Sequence, residues 1–586
     1  MLKLLKRLTP SGRLLALVIL GFTLTQVWLD LRLIEYMKEI TLLVQTAGSP
    51  QRDIWLAGGL MLLCALGSIT AAIIICLFAS RISSSFAKEL RSGLFNKVGA
   101  FSMEEINRFS TASLITRSTN DITQVQMFLV MGFQLVTRSP IMAAWAITKI
   151  AGKGIEWSMV TAGAVLILII MVLVILVFVV PKFKMMQILT DNLTLIAREH
   201  LSGLRVIRAY NAEDYQDAKF EKANTELTNV HLFTSRAMSV MMPMITFIMS
   251  GLSLAIYWVG AYLINAADIP ERLDIFSDMV VFSSYATRII MSFLLLVMVF
   301  FLLPRASVSA KRINEVLETK PCIIGGNITE SDPDKKGEIV FNNVSFKYPD
   351  AADYVLQDIS FTAKRGETIA LIGSTGSGKS TLINLIPRFF DSTQGDITIS
   401  GINIKHFTLE ALNSKIGYVP QKAVMFSGTV SSNIAYGDNG RNAYTEGDIK
   451  NAARISEALE FTENMDGGFN AEIAQGGTNI SGGQKQRLAI ARAICRKPEI
   501  YIFDDSFSAL DYKTDRVLRS ALKKETSDVT CLIVAQRIGT VMDADQIIVL
   551  DEGRIAGAGT HRELLQTCGI YREIAASQLS EEELSR

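Results

Sequence analysis

Gly373-Ser374-Thr375-Gly376-Ser377-Gly378-Lys379-Ser380-Thr381 decides how the second half of this 586-residue chain folds. The run fits G-x-x-x-x-G-K-[ST] in full, directly after the apolar Ile369-Ala370-Leu371-Ile372 and ahead of a helical stretch. Glycines let successive backbone N–H groups converge on phosphate oxygens, and the helix that follows adds its positive N-terminal end. In such a loop Lys379 reaches the outer phosphates of a nucleotide and the Ser380 hydroxyl takes a place on Mg2+. Around the loop, short β-rich runs at 367–373, 416–419, 500–503, 531–535 and 546–550 alternate with helical ones. That alternation predicts an α/β domain with a parallel sheet. The run at 500–503 ends in Asp504, a carboxylate suited to the Mg2+ side of the same site.

Upstream of Lys320 the sequence changes character. The whole chain is 49% hydrophobic and only 20% charged, too apolar for an all-soluble protein, and its length suggests three to four domain-sized units. The net charge of +1 averages unlike halves and makes no case for a nucleic-acid partner. The six cysteines, Cys64, Cys76, Cys322, Cys495, Cys531 and Cys568, have no metal-ligand spacing and read as buried free thiols. Lys3, Lys6, Arg7 and Arg13 precede an apolar run as in a signal peptide, but Gln26-Val27-Trp28-Leu29-Asp30 follows where a cleavage site would stand. The run is a retained first span.

A helix needs about 20 apolar residues to cross the hydrocarbon core. Ile54 to Ser80 and Met159 to Val180 meet this without a charge, and Ala237 to Ala267 and the stretch from Leu14 nearly so. A third span is interrupted by Arg138 and a sixth by Asp278 and Arg288. The reading is six spans, at about 14–46, 54–80, 122–148, 157–181, 237–267 and 275–303, within an all-α membrane domain of residues 1–318. A linker at 319–336 leads to a nucleotide-binding domain at 337–577 and a tail at 578–586. The loops after the second and fourth spans are long and rich in Lys and Arg, which places both of them and both termini in the cytosol. There the Asn327-Ile328-Thr329 sequon has no meaning. Ionisable residues inside a membrane are functional candidates by default, so Asp30, Asp278 and Arg288 read as cavity-lining or gating residues, with Arg32 the alternative partner that would make Asp30 merely interfacial.

A further motif, Ile480-Ser481-Gly482-Gly483-Gln484 followed by Lys485-Gln486-Arg487-Leu488, resembles the signature of ABC transporters, in which Leu more often holds the first place. Other marks of that family follow in order: Tyr348 resembles the aromatic that stacks on adenine, Gln421 the Q-loop, and Ser508-Ala509-Leu510-Asp511 the D-loop. The resemblance covers about Gly337 to Ser577, and the six-span layout agrees for most of the rest. It implies ATP and Mg2+ as ligands. Tyr348, Gly373, Ser374, Thr375, Gly376, Ser377, Gly378, Lys379, Ser380, Thr381 and Gln421 would hold the nucleotide. Ser380, Gln421 and Asp504 would stand around the metal. Ser481, Gly482, Gly483 and Gln484 would serve the ATP of a facing second domain. The order of span domain then nucleotide domain looks like that of exporters. The tips of the two long loops, around Met103–Asn107 and Ala212–Tyr215, then read as coupling helices that dock on the nucleotide domain.

Two departures from the family pattern carry the sharpest expectation. Asp505 stands where the family usually has a Glu general base, and Ala535-Gln536-Arg537 replaces Ala-His-Arg, so Gln536 holds the switch position. A general base must lie within about 2.6–3.2 Å of its proton, and Asp is one methylene short. Gln hydrogen-bonds but cannot carry an imidazolium charge. Together they resemble the degenerate chain of a heterodimeric bacterial multidrug exporter in the plasma membrane, with a second half-transporter as partner and hydrophobic small molecules as cargo. The alternatives are a homodimeric lipid or peptide exporter and an ATP-gated regulatory protein.

Overall fold

The computed structural model describes all residues except 1, 47, 152–153, 269–270, 350, 438–443, 526–527 and 580–586. It divides into two compact units, Met1–Val98 with Ala112–Thr319, and Gly99–Thr111 with Lys320–Arg586. Most of the tail expected at 578–586 therefore lies outside the described residues.

Among the described residues, six helices are long and apolar enough to cross a membrane: Pro10–Gln45, Gln51–Gly99, Thr111–Ile150, Ile155–Ser202, Glu213–Ala266 and Arg272–Glu318. Their length exceeds what a bilayer requires, so each continues as helix through sequence of mixed charge. The third is broken at Thr119 and again at Gly132–Val136, a π-helical segment that precedes Arg138–Ile150. The sixth helix runs beside the first, third and fifth. Its Phe282, Tyr285 and Ile289 are buried with Trp157 of the fourth and Ile256 of the fifth. Trp157 donates its indole N–H to the Ile256 carbonyl at 3.2 Å, which satisfies its polar atom inside an apolar cluster. The fourth helix instead leaves Leu166, Ile170, Leu173 and Phe178 exposed, as a lipid-facing surface requires.

Charges inside the first unit are paired across helices. Asp30, 8% exposed, accepts from Arg138 at 2.9 Å and from Ser68 at 2.6 Å. Arg32 turns to Glu35 instead at 2.6 Å, so the neighbour in sequence is not the partner of Asp30. Lys38 meets Asp278 at 2.7 Å, and Lys149 meets Glu35 at 2.6 Å. Arg288 is half-buried and has no side-chain hydrogen bond or ion pair among the described residues. Removing one partner of a fully buried pair costs about 3–5 kcal/mol, because the other charge is stranded, and this part-buried pair stands below that range. Arg138→Met is therefore expected to lower the unfolding temperature of the detergent-purified chain markedly. The double change Asp30→Asn with Arg138→Met should recover most of that loss, and an additive double change would show that the two do not interact.

In the second unit, Arg554–Gly559, Gln546–Asp551, Thr368–Gly373, Thr530–Val534, Ile500–Asp504 and Ile416–Val419 form one sheet in that order. All its pairings are parallel except the edge strand Arg554–Gly559. A separate antiparallel sheet is built from Ile339–Phe346, Leu356–Ala363, Gln394–Ile399 and Ile402–Asn403. Helices Val430–Ile434, Glu446–Ile455 and Gly482–Cys495 share their own apolar core with the Ile416–Val419 edge. The segment before the first strand is laid down rather than loose. Gly326 and Ile328 donate to Phe407 and His406, and Thr408 donates back to Ile328.

Residues Gly99–Thr111, the tip of the first long loop, cluster with this second unit. The short helix Met103–Phe109 starts in a capping box, Ser102 with Glu105. Glu105, 2% exposed, also accepts from the backbone N–H of Cys322 at 2.7 Å. Burial works against its charge, and the hydrogen bonds from Cys322 and Ser102 overcome it, so the carboxyl sits below its ordinary range. The other tip is a turn between Leu204–Ala209 and Glu213–Ala266 in the first unit, with Tyr210 and Tyr215 exposed. Of the cysteines, Cys495, Cys531 and Cys568 are buried, Cys64 is intermediate, and Cys76 and Cys322 are exposed, so burial holds for half of them.

Candidate nucleotide site

The phosphate loop turns between the strand Thr368–Gly373 and the helix Lys379–Leu385. Gly378 has φ +97°, a conformation that favours glycine, and a β-carbon there would also displace Leu356 Cδ2, 2.7 Å away. Lys379 lies across the loop, donating to the carbonyls of Gly373 at 2.8 Å and Ser374 at 2.7 Å and to Ser377 Oγ at 3.3 Å. Its burial pulls the ammonium below its ordinary pKa, while the Asp505 and Asp504 charges oppose that shift.

Ser380 Oγ donates to Asp504 Oδ1 at 2.9 Å. The strand Ile500–Asp504 is buried along its whole length and delivers that carboxylate beside the loop. Burial raises the Asp504 pKa, the Ser380 bond lowers it, and the Asp505 charge raises it. A hydroxyl and a desolvated carboxylate side by side make a hard oxygen donor set, which fits Mg2+. Gln421 follows the edge strand Ile416–Val419 and turns its amide toward Asp505, not Asp504, with Nε2 3.4 Å from Asp505 Oδ2.

Asp505 and Gln536, the two departures, meet. Gln536 Nε2 donates to Asp505 Oδ2 at 3.0 Å, so one carboxylate oxygen receives both glutamines. Asp505 is 9% exposed and has φ +44°, with its N–H held by the Val534 carbonyl and its own carbonyl by Ser508 Oγ. Burial raises its pKa, and the bonds from Gln421 and Ser508 only partly offset that.

Tyr348 follows the strand Ile339–Phe346 and stands edge-on to Phe346 and Phe390, with ring centroids 4.9 and 5.3 Å away. Its hydroxyl is 3.1 Å from Thr381 Oγ1, which ties the aromatic to the phosphate-loop helix. Gly373, Ser374, Gly376, Ser377, Lys379, Ser380, Thr381, Asp504, Asp505, Gln421, Gln536 and Tyr348 are thus gathered at one end of the parallel strands.

Ser481–Gln484 stand elsewhere, on the helical part of the unit. Ser481 caps the helix Gly482–Cys495 in a box with Gln484, whose Oε1 accepts the Ser481 N–H at 2.9 Å. Gln484 is therefore engaged by its own helix. Among the described residues no hydrogen bond joins Ser481–Gln484 to the phosphate loop. The exposed Ser481 and Gly482 present a helix start outward, where backbone N–H groups lack intrahelical partners. One residue that sequence reasoning passed over is Gln578, which donates to the Gln536 carbonyl and accepts from the Ile538 N–H, both at 2.9 Å. No motif marks it, because the contact joins residues 42 positions apart.

Comparison with known proteins accords with this geometry. A family model described as ABC transporter matches residues 356–508, and one described as ABC transporter transmembrane region matches residues 16–294. An uncharacterized ABC transporter ATP-binding protein of Mycobacterium tuberculosis is 40% identical over 522 residues, covering 89% of this chain and 87% of the relative. An ATP-dependent lipid A-core flippase of Pseudomonas putida is 31% identical over 504 residues, covering 86% and 82%. The structure of a bacterial Atm1-family ABC exporter with ATP bound shares the fold, with a TM-score of 0.76 at 23% identity over 98% of this chain and 99% of that one. With six membrane-length helices and a phosphate-binding α/β domain on one polypeptide, the chain belongs to the ABC exporter family, as a multi-pass membrane half-transporter with an ATP-hydrolysing domain.

Proposed function

We propose that this chain is the degenerate-site half of a heterodimeric exporter. It binds ATP with Mg2+ at its own phosphate loop, and its Ser481–Gly483 completes the hydrolytic site of a second half-transporter. Hydrophobic compounds leave through the spans. The observation that carries this reading is the hydrogen bond from Gln536 to Asp505. A general base must offer a free carboxylate oxygen to the attacking water. Here both amides converge on Oδ2 of the shorter Asp side chain, which leaves Oδ1 as the one oxygen open to a water and withdraws charge from the carboxylate that would act as base. The same amide cannot supply the cationic charge of a histidine at the γ-phosphate.

Lys379 and the loop N–H groups would hold the phosphates, Tyr348 the adenine, and Ser380, Asp504 and Gln421 the side of the nucleotide where Mg2+ screens phosphate charge. The basic loops after the second and fourth spans support cytosolic termini, and a plasma-membrane setting is part of the same proposal. The division at 1–318, 319–336 and 337–577 is part of the same proposal.

The purified chain alone is expected to bind Mg-ATP yet turn it over slowly, measured as phosphate release alongside retention of labelled nucleotide. Turnover at the 1–10³ s⁻¹ typical of enzymes would sink the degenerate-site reading. A second reading, a homodimeric lipid exporter, is favoured by the flippase named among the relatives. Rapid turnover by the chain alone would turn the balance to it.

A further inference from the structure

Behind the switch segment lies a cavity of about 710 Å³. Its lining carries four cations, Arg516, Arg519, Lys523 and Arg537, against one carboxylate, Asp543. Arg519 is already satisfied, with Asp515 in a bidentate pair at 3.1 Å and the Gly539 carbonyl at 2.8 Å. Arg516, Lys523 and Arg537 are exposed and have no hydrogen bond or salt bridge among the described residues. Like charges crowded around one cavity repel, and an anion seated there would relieve this. The charge of Arg537 also bears on Asp505, holding its carboxyl down against burial, which leaves Arg516 and Lys523 as the cations with no such counter-charge.

Gln578 and Leu579 also line the cavity. The residues that follow, Ser580-Glu581-Glu582-Glu583-Leu584-Ser585-Arg586, lie outside the described residues and carry three consecutive glutamates. Leu579 itself lines the cavity, and extended chain from it to Glu583 spans about 14 Å. Tethering also gives them an effective concentration in the millimolar range.

We propose that the cavity is a carboxylate-binding site and that its occupant is Glu581–Glu583 of the same chain. Seating the tail fixes Gln578, and Gln578 grips the switch segment on both sides, at the Gln536 carbonyl and the Ile538 N–H. The tail thereby sets where Gln536 stands relative to Asp505. The inference is independent of whether the exporter is a heterodimer or a homodimer.

The test uses the full chain in its assembled exporter. Zero-length carbodiimide coupling followed by peptide mass spectrometry should join Lys523 to one of Glu581–Glu583 within one chain. The yield should be independent of protein concentration and fall several-fold in about 1 M salt, where the Debye length is about 3 Å. The triple change E581Q, E582Q and E583Q should abolish it. Absence of any link to Lys523 in the unaltered chain, or links only between copies labelled with different isotopes, overturns the proposal. Acetylation of Lys523 by a small reagent gives a second measurement that needs no coupling. Removing residues 580–586 should raise its labelling several-fold. Equal labelling with and without the tail overturns the proposal, as does protection by millimolar inorganic phosphate in the full chain, which would make the cavity a free-anion site.

Discussion

In the assembled exporter, Ser481→Ala and, more severely, Gly482→Asp are expected to nearly abolish ATP hydrolysis, by about 10²–10³-fold for loss of one preorganised donor. Lys379→Ala should weaken nucleotide binding in the slow site and leave an appreciable part of the turnover. The contrast follows from geometry within one chain. Lys379 lies among the phosphate-loop carbonyls, while Ser481 opens the helix Gly482–Cys495 on the other part of the domain. If the γ-phosphate that is hydrolysed sits on the partner's loop, this chain supplies the helix start and the partner supplies the lysine. A carboxylate introduced at Gly482 would bring negative charge to a place built for phosphate. A β-carbon at Gly482 meets nothing within 4 Å, so Gly482→Ala should fold and serves as the steric control. Ser481→Ala also removes a helix cap, at a cost of about 1 kcal/mol, and a thermal melt separates that from the kinetic effect. Equal and complete loss from Ser481→Ala and Lys379→Ala would mean two equivalent sites.

The second large effect is a gain. Asp505→Glu alone should do little for the slow site, since Gln536 still donates toward the carboxylate and still lacks a charge. Asp505→Glu with Gln536→His should raise turnover at this chain's own site by about 10²-fold, the scale of a 1 Å misplacement. The backbone sets a small opposing term. Asp505 stands at φ +44°, a region that Asp visits more readily than Glu, so the double variant should be somewhat less stable while faster. The measurement is phosphate release by the purified chain alone, beside its melting temperature. A fast ATPase from Asp505→Glu by itself would remove Gln536 from the account.

What could be read from the sequence was whatever is local. The phosphate loop is one continuous run, its lysine and serine follow at fixed offsets, and each span declares itself by uninterrupted apolar length. The parallel strands were legible because they are short apolar runs set between helices. The antiparallel strands Ile339–Phe346, Leu356–Ala363 and Gln394–Ile399 were not, since register shifts between Phe341 and Phe346 and between Asn342 and Ser345 break the alternation that marks a half-buried strand. The partner of Asp30 was out of reach for a different reason. Arg138 is 108 positions away, on a helix whose face is reset by the π-helical turn at Gly132–Val136, whereas Arg32 is the neighbour that sequence offers. Asp505 and Gln536 could each be recognised as unusual by position, but their contact depends on adjacent strands Ile500–Asp504 and Thr530–Val534 ending side by side. Gln484, read as facing a partner's nucleotide, also carries the capping-box spacing from Ser481, and both roles share one sequence signal.

The Glu105 carboxylate has a mechanical consequence. It fastens the tip of the first long loop to the backbone at Cys322, through a part-buried, charge-assisted bond. The helix that leads into that tip, Gln51–Gly99, is 49 residues, or about 74 Å at 1.5 Å per residue. A rod of that length turns a small rotation at its base into a long stroke at its far end, about 6 Å for a tilt of about 5°. The Glu105 carboxylate pins the loop tip and the strand-ward segment at Cys322 to each other, so within the second unit the two move as one piece.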